Sequence, residues 1–393
     1  MSHIIEEIND VKDSNCCVMI RFIGAGHSTT SGIELLSSLC EQIVSTIAAI
    51  DKDFEPAELP HTFEEMSSVF PKTLNLFSEL KMNLVVLIDG CDELQSTSSD
   101  ASLLFSWIPS ILPRGIKLIL SSDSACHLHK QLMSMSNSQA IELHMWSEAD
   151  ASRMIKSKLK DRGRLINESQ SSYISECLSP FCTPLVTQLV MHECASWPSY
   201  LVDVESIPIR NQSESLIDKM LDKLERKHGA IVIRASFGYL YHSIEGGLST
   251  NEMLDVLSLD DKLLTMLEKV LPPGSLKLQR RFPTVILTRI LQDCVDILEY
   301  RSAADGTLVW SFSHNQIATA VGRRSKNMEI LLRTNLADYF SGRYSSGKPL
   351  APDTTPIARY IDPQHLINQQ GTINLRMIME LPHHLIALKE WKR

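Results

Sequence analysis

The residues best suited to chemistry are three carboxylates that follow one apolar run. The run Leu84–Ile88 contains only apolar side chains, which is typical of a strand buried on both faces of a parallel sheet. Asp89, Asp92 and Glu93 come next, at the carboxyl end of this strand, where open α/β sheets bind ligands. In a nucleotide hydrolase, Asp89 would hold Mg²⁺, and Asp92 or Glu93 would polarise the attacking water. The alternative is a strand that ends in an acidic turn without chemistry.

A phosphate-binding loop of the form GxxxxGK[ST] does not occur in this sequence. Such a loop holds phosphates with backbone N–H groups, a lysine and a hydroxyl. The nearest match, Gly342–Pro349, has proline in place of the hydroxyl, so we interpret it as a surface loop. Gly24–Thr29 resembles the start of a dinucleotide-binding fingerprint, but Thr29 occupies the third glycine position. We interpret this segment as a plain turn between a strand and a helix.

The cysteines and histidines do not predict a metal site. The nine cysteines include no CxxC pair, which favours free thiols over a disulfide framework or a zinc ribbon. Two groups contain metal-binding residue types without a standard zinc spacing, and we expect structural roles for both: Cys126–His129, and the set Cys177, Cys182, His192 and Cys194. The basic run from Arg153 to Arg164 is interpreted as the solvated face of a helix.

The elements that must position the carboxylates alternate between strands and helices in the first third of the chain. This alternation predicts an α/β fold with a parallel sheet covered by helices. The predicted strands are Cys17–Ile23, Leu84–Ile88, Ile116–Leu120 and, more weakly, Ala140–Leu143. Apolar residues at three- and four-residue steps predict a helix from Ile33 to Ile50.

Helical patterns dominate after residue 147. Ser147 is a candidate helix cap, and Ser249–Glu252 has the form of a capping box. A helix over Thr284–Ile297 precedes two strand-like runs, Leu298–Arg301 and Leu308–Phe312, separated by a turn. Helices followed by one small hairpin predict a winged helix.

Composition and charge limit the classes of function. The 393 residues are 44% hydrophobic and 22% charged, enough for two or three domains with cores. The net charge of −9 argues against binding nucleic acid by phosphate neutralisation. The sequence shows no secretion signal and no uncharged apolar run long enough to span a membrane, so we expect a cytoplasmic protein.

Several segments resemble the NACHT domain of the signal-transducing P-loop NTPases (the STAND class), most closely in the NACHT and WD repeat proteins. The acidic tip Asp89–Glu93 is similar to a Walker B motif, and Leu120–Ser122 ends the strand that follows it. Pro184 is similar to the proline that packs on adenine, and His314 to the histidine that reaches the β-phosphate of ADP. The segment Ala337–Leu385 resembles the region before a WD-repeat propeller.

This resemblance implies an incomplete P-loop NTPase sheet followed by a helical domain and a winged-helix domain. The expected domains are 1–147 for the distal NACHT part, 148–212 for the helical domain and linker, 213–326 for the winged helix and 327–393 for a helical linker. Because no Walker A motif is present, we expect a chain truncated at its N-terminus and lacking the WD repeats.

The implied function is part of an ADP/ATP-regulated signalling switch and oligomerisation scaffold that is inactive as an NTPase by itself. ATP or ADP with Mg²⁺ would be the cofactors of the complete protein, with the alternative that this chain binds none. The expected partners are proteins, including further copies of the chain, with no nucleic acid and no membrane. A second hypothesis is a non-catalytic interaction scaffold that keeps the fold without nucleotide binding.

Overall fold

The fold is described from a computed structural model of the chain. The structure describes residues 15–24, 31–94, 103–135, 137–178, 182–198, 213–244, 247–270, 281–303, 305–348, 359, 361, 363–367 and 371–390. The chain forms two compact units, Met1–Glu142 and Leu143–Arg393.

The first unit contains a parallel sheet of three strands in the order β1-β2-β3. β2 lies in the middle and pairs with both neighbours, with Leu84 beside Cys17 of β1 and Ile116 of β3. Short 3-10 turns lie at Cys91–Glu93 and Leu103–Phe105. The elements are β1 Cys16–Phe22, α1 Gly32–Ile50, α2 Phe63–Glu79, β2 Asn83–Asp89, β3 Ile116–Leu120 and α3 His127–Met133. The predicted parallel sheet is confirmed.

One face of this sheet packs on the helices to form the core of the first unit. Leu84, Val86 and Ile88 alternate along β2 and are fully buried, as the two-residue period of a strand requires. Trp107 packs edge-on against Phe70 of α2, with ring centroids 5.4 Å apart. Helix α1 is long and apolar enough to cross a membrane by length and composition. Its apolar stripe belongs to this core.

The second unit is mainly helical and has one small antiparallel sheet in the order β4-β6-β5. Its elements are α4 Glu148–Asp161, α5 Glu168–Leu178, α6 Pro184–Ala195, α7 Ser213–His228, α8 Ala230–His242, β4 Gly247–Leu248, α9 Thr250–Leu259, α10 Asp261–Val270, α11 Thr284–Asp293, β5 Leu298–Ser302, β6 Leu308–Phe312, α12 Asn315–Ser325, α13 Glu329–Phe340 and α14 Leu375–Leu388. A single hydrophobic core runs from α4 to α13.

Local sequence signals account for several of these boundaries. Ser147 caps α4 by accepting a hydrogen bond from a backbone N–H, and Ser249 and Glu252 form the predicted capping box of α9. The predicted hairpin is present as β5 and β6, with Tyr300 opposite Trp310. Trp310 also donates its indole N–H to Thr250 at 3.0 Å, which fixes the hairpin against α9.

Helix α14 directs three ionisable residues inward. Arg376, Glu380 and His384, spaced four residues apart, are 5%, 0% and 0% exposed. Arg376 pairs with Glu380 at 3.2 Å and with Glu252 of α9 at 3.1 Å, and His384 contacts Glu380 at 3.1 Å. The opposite face carries exposed apolar side chains, Leu375, Ile378 and Ile386. The helix is therefore amphipathic in the reverse of the usual sense.

Two segments differ from the sequence-based expectations, and a third is a loop as expected. The weak strand Ala140–Leu143 is irregular, because no partner strand pairs with it among the residues that the structure describes. Helix α11 ends at Asp293 rather than Ile297, and the chain turns over the next four residues. In the described part of the predicted loop, residues 342–348, the ammonium of Lys348 donates to the carbonyl oxygen of Leu259 at 2.8 Å and anchors the loop.

Candidate functional site

Asp89 lies at the carboxyl end of the middle strand, held by a side chain from the neighbouring strand. Ser121 directly follows β3 and donates its hydroxyl proton to Asp89 Oδ1. The backbone N–H of Gly90 donates to the same Ser121 oxygen at 2.9 Å. Gly90 permits this turn because its φ of 78° lies in the left-handed region. The carboxylate is thus half-buried and fixed in orientation at the edge of the sheet.

Asp92 and Glu93 follow in the 3-10 turn at the same edge. Asp92 is exposed, and its Oδ1 accepts a hydrogen bond from the backbone N–H of Asp123 at 3.3 Å. The Glu93 carboxylate lies against Gly24 at the end of β1, where a Cβ atom would stand 1.8 Å from Glu93 Oε2. The structure therefore brings the three predicted carboxylates together, and a glycine leaves the space that Glu93 occupies.

Cys91 lies between Asp89 and Asp92 in the sequence, but its thiol does not take part in the candidate site. Its side chain is fully buried under the turn. Burial, and to a smaller extent the charge of Asp92, raises the pKa of the Cys91 thiol to about 12. The thiol is therefore protonated at neutral pH and packs as a small apolar group.

Pro184 is the first residue of helix α6 in the second unit. The Thr183 hydroxyl caps this helix by accepting the N–H of Val186 at 3.2 Å. Proline suits this position because its fixed φ matches the helix and its missing N–H is not needed. The ring of Pro184 is exposed while Leu185 and Val186 are buried, so the first turn presents it to a ligand or to solvent.

His314 caps helix α12, two residues after the end of β6. Its Nδ1 accepts the N–H of Gln316 at 3.2 Å, so the neutral ring carries its proton on Nε2. Desolvation lowers the pKa of His314, which favours this neutral form. A neutral Nε2–H group is a hydrogen-bond donor, as a phosphate ligand would require.

Sequence reasoning missed the roles of two further residues, one in each unit. Ser121 orients Asp89, and Asp296 receives His192 of α6 on its carboxylate at 3.1 Å. No sequence motif includes Asp296. Its role follows only from its contacts with residues that are more than 100 positions away in the sequence. His192 therefore pairs with a carboxylate, in agreement with the expected structural role. Arg162, predicted to be solvated, also binds Asp296.

The described residues contain no group of three or more histidine, cysteine, aspartate or glutamate side chains arranged to hold a metal ion. Asp89 nevertheless offers a hard oxygen ligand at an accessible sheet edge. Mg²⁺ in nucleotide sites commonly uses one or two carboxylates and completes its shell with phosphates and water. The side chains present therefore fit a cation that arrives with a nucleotide.

Comparison with known proteins gives one match to a domain family and several matches over most of the chain. Residues 204–332 match the family model of the NWD1-like, winged helix-turn-helix domain. NACHT domain- and WD repeat-containing protein 1 is 26% identical over 397 residues in Mus musculus and 27% identical over 401 residues in Homo sapiens. Each alignment covers 98% of this chain and 25% of the relative.

A second human protein is also similar to most of the chain. NACHT and WD repeat domain-containing protein 2 of Homo sapiens is 28% identical over 347 residues, covering 86% of this chain and 19% of that protein. The chain thus spans a quarter or less of the length of these relatives. Residues 204–332 are therefore similar to the NWD1-like winged helix-turn-helix domain, and the chain is similar along most of its length to the NACHT and WD repeat domain-containing proteins.

Proposed function

We propose that this chain is the nucleotide-responsive part of a signalling switch that assembles with protein partners. The observation that carries the proposal is Asp89, which ends the middle strand of a parallel sheet and is held there by Ser121. Open α/β sheets bind their ligands at this edge. The relationship to NACHT-containing proteins supports ATP and ADP as the ligands.

In this proposal the three carboxylates have separate tasks. Asp89 holds a cation, directly or through water, because its second oxygen remains available when Oδ1 accepts from Ser121. Bound Mg²⁺ supplies positive charge that neutralises the nucleotide phosphates. Asp92 is exposed and Glu93 lies against Gly24, so both carboxylates can accept a proton from an attacking water at this edge.

Two residues of the second unit have their own roles in the proposal. Pro184 presents its ring at the start of α6 for packing against adenine. His314 presents a neutral Nε2–H donor for the diphosphate of ADP. Both roles rest on the resemblance to NACHT proteins and on the exposed position of each side chain.

Turnover of ATP by this chain alone is not expected, since its 393 residues include no GxxxxGK[ST] sequence. We therefore place the function in nucleotide-controlled assembly in the cytoplasm, with other proteins or further copies of the chain as partners. Phosphate release that is abolished by Glu93→Gln would contradict this part of the proposal.

Calorimetric titration of ADP and ATP, with and without Mg²⁺, tests the proposal. We expect binding that Mg²⁺ strengthens and that Asp89→Asn weakens by about tenfold or more. The asparagine can still accept from Ser121, so circular dichroism should show an intact fold. Asp51→Asn is the matched control, because Asp51 is exposed at the C-terminal end of α1. Absence of binding would favour the scaffold without nucleotide, and equal affinity in Asp89→Asn would remove Asp89 from the site.

A further inference from the structure

Asp296 is a buried carboxylate where the helices α4 to α6 meet the winged helix. It lies in the turn between α11 and β5, and its side chain is 8% exposed. A carboxylate this deeply buried needs several donors, since an unpaired buried charge is strongly unfavourable.

Three side chains that precede the winged helix in the sequence bind Asp296, two of them at its carboxylate and one at its backbone carbonyl oxygen. Arg162, just after α4, forms two hydrogen bonds to the carboxylate, one of them 2.8 Å long. His192 of α6 places its Nδ1 3.1 Å from Oδ2, and Gln188 of α6 donates to the backbone carbonyl oxygen of Asp296. Burial alone would raise the pKa of Asp296, but the hydrogen bonds from His192 and Arg162 outweigh burial and lower it to about 2. Asp296 is therefore a permanent anion at neutral pH.

The same turn is attached to the strand end that carries His314. The carbonyl oxygen of Ile297 accepts the N–H of Ser313 at 3.0 Å, which extends the pairing of β5 and β6 by one residue. His314 is the next residue. Ile297 directly follows Asp296 in the chain. The residue next to the Asp296 anion therefore binds the backbone of Ser313, immediately before His314.

Asp296 also contacts helix α6, which begins at Pro184. Pro184, Gln188 and His192 are spaced four residues apart and share one face of α6. Two of these three residues bind Asp296. The turn around Asp296 therefore contacts both the helix that begins with Pro184 and the strand end that leads to His314.

We infer that Asp296 is a positioning residue that holds α6 and the end of β6 together, so that Pro184 and His314 keep the relative placement needed to contact one nucleotide. This inference rests on the proposed function for the role of the two contacts. The attachment itself is a property of the described residues and can be tested separately.

The perturbing variant is Asp296→Asn, which keeps the shape of the side chain and removes its charge. The matched control is Asp293→Asn, three residues earlier in the chain. Asp293 is paired as well, with Lys227 at 2.7 Å and His228 at 2.6 Å, but both partners belong to α7. The two variants therefore lose comparable ion pairs, and only one of these pairs involves α6.

Hydrogen exchange followed by mass spectrometry tests the attachment in the full chain. We expect faster exchange over residues 184–192 and 311–316 in Asp296→Asn and no change there in Asp293→Asn. Unchanged exchange in Asp296→Asn, or an equal change in both variants, would overturn the inference regardless of any result with nucleotide.

Titration of ADP tests the consequence. We expect Asp296→Asn to raise the Kd for ADP about fivefold or more, with the binding stoichiometry unchanged, whereas Asp293→Asn leaves Kd unchanged. A merely destabilised protein would lose stoichiometry and keep its Kd. In a Pro184→Ala/His314→Ala background, Asp296→Asn should have no further effect, and full additivity would overturn the inference. If the unsubstituted chain binds no ADP, the proposed function fails, and the exchange experiment still decides the role of Asp296.

Discussion

Acidification should destabilise the second unit through two buried histidines. His242 of α8 and His384 of α14 are 5% and 0% exposed. Burial, followed by the positive charge of Arg333, lowers their pKa values from 6.5 to about 4 for His242 and about 3 for His384. Each imidazole thus stays neutral in the folded chain and takes up a proton on unfolding below pH 6.5. The stability that depends on neutral histidines is complete above pH 6.5 and is lost as the pH falls toward the folded pKa values.

Glu380, which contacts His384, has the opposite effect. Burial raises its pKa from 4.5 to about 7, although the charge of Arg376 and the N–H of Ile244 oppose this shift. Below pH 7 the folded chain therefore holds a proton on Glu380 that the unfolded chain does not hold until pH 4.5.

The magnitude follows from the protons exchanged on unfolding. Between pH 6.5 and 4.5, the two histidines take up two protons and Glu380 releases one, a net uptake of about one proton. One proton corresponds to about 1.4 kcal/mol per pH unit. The free energy of unfolding of the second unit should therefore fall by about 3 kcal/mol over these two pH units.

Urea unfolding at a series of pH values, read by pulsed hydrogen exchange of peptides from α8 and α14, measures this slope for the second unit alone. Glu380→Gln removes the opposing proton and should about double the slope. His384→Gln removes one histidine proton and should bring the slope close to zero. The same slope in the unsubstituted chain and in both variants would refute this account of the buried cluster.

Three further predictions concern single residues. Gly90→Ala should lower the free energy of unfolding of the first unit by about 1–3 kcal/mol in urea titrations, since φ is 78° and the new Cβ would lie 3.0 Å from a carbonyl oxygen; Gly163→Ala, with φ of 66° and no atom within 4 Å, should cost the second unit less. Ser249→Ala should cost about 1 kcal/mol in thermal unfolding because it removes half of the capping box, and an unchanged melting temperature would argue against that cap. Iodoacetamide at pH 8 should modify the half-buried Cys16 well before Cys91, whose thiol is buried with a pKa of about 12; mass spectrometry of the reverse order would contradict the described turn.

Local patterns in the sequence were sufficient to predict much of the fold. The apolar run before Asp89 forms the middle strand, and the Ser249–Glu252 signal forms a capping box. Both depend on residues a few positions apart, so the sequence records the cause directly. The Ala140–Leu143 pattern is equally local, but a strand also needs a partner, and alternation of side chains does not specify one.

The candidate site was predictable in its residue types but not in its supports. Ser121 binds Asp89 across 32 positions of sequence, and Arg162 reaches Asp296 across 134. Each contact is set by the packing of separate elements, so no spacing rule could find it. The inward ionisable side chains of α14 are a third case, since the pattern of a helix shows two faces without indicating which one is buried.

The reversed amphipathicity of α14 has a consequence for how this helix separates from the unit. A helix that is held by apolar contacts exposes apolar surface when it separates from the unit. Salts that strengthen hydrophobic burial make this separation less favourable. The contacts of α14 centre on Arg376, Glu380 and His384, which water can solvate once they are uncovered. Leu375, Ile378 and Ile386 already face outward and change little on release, whereas Leu381 packs on the core. On the helix itself, release would therefore uncover mainly ionisable side chains, which limits the apolar surface that a detached α14 would present.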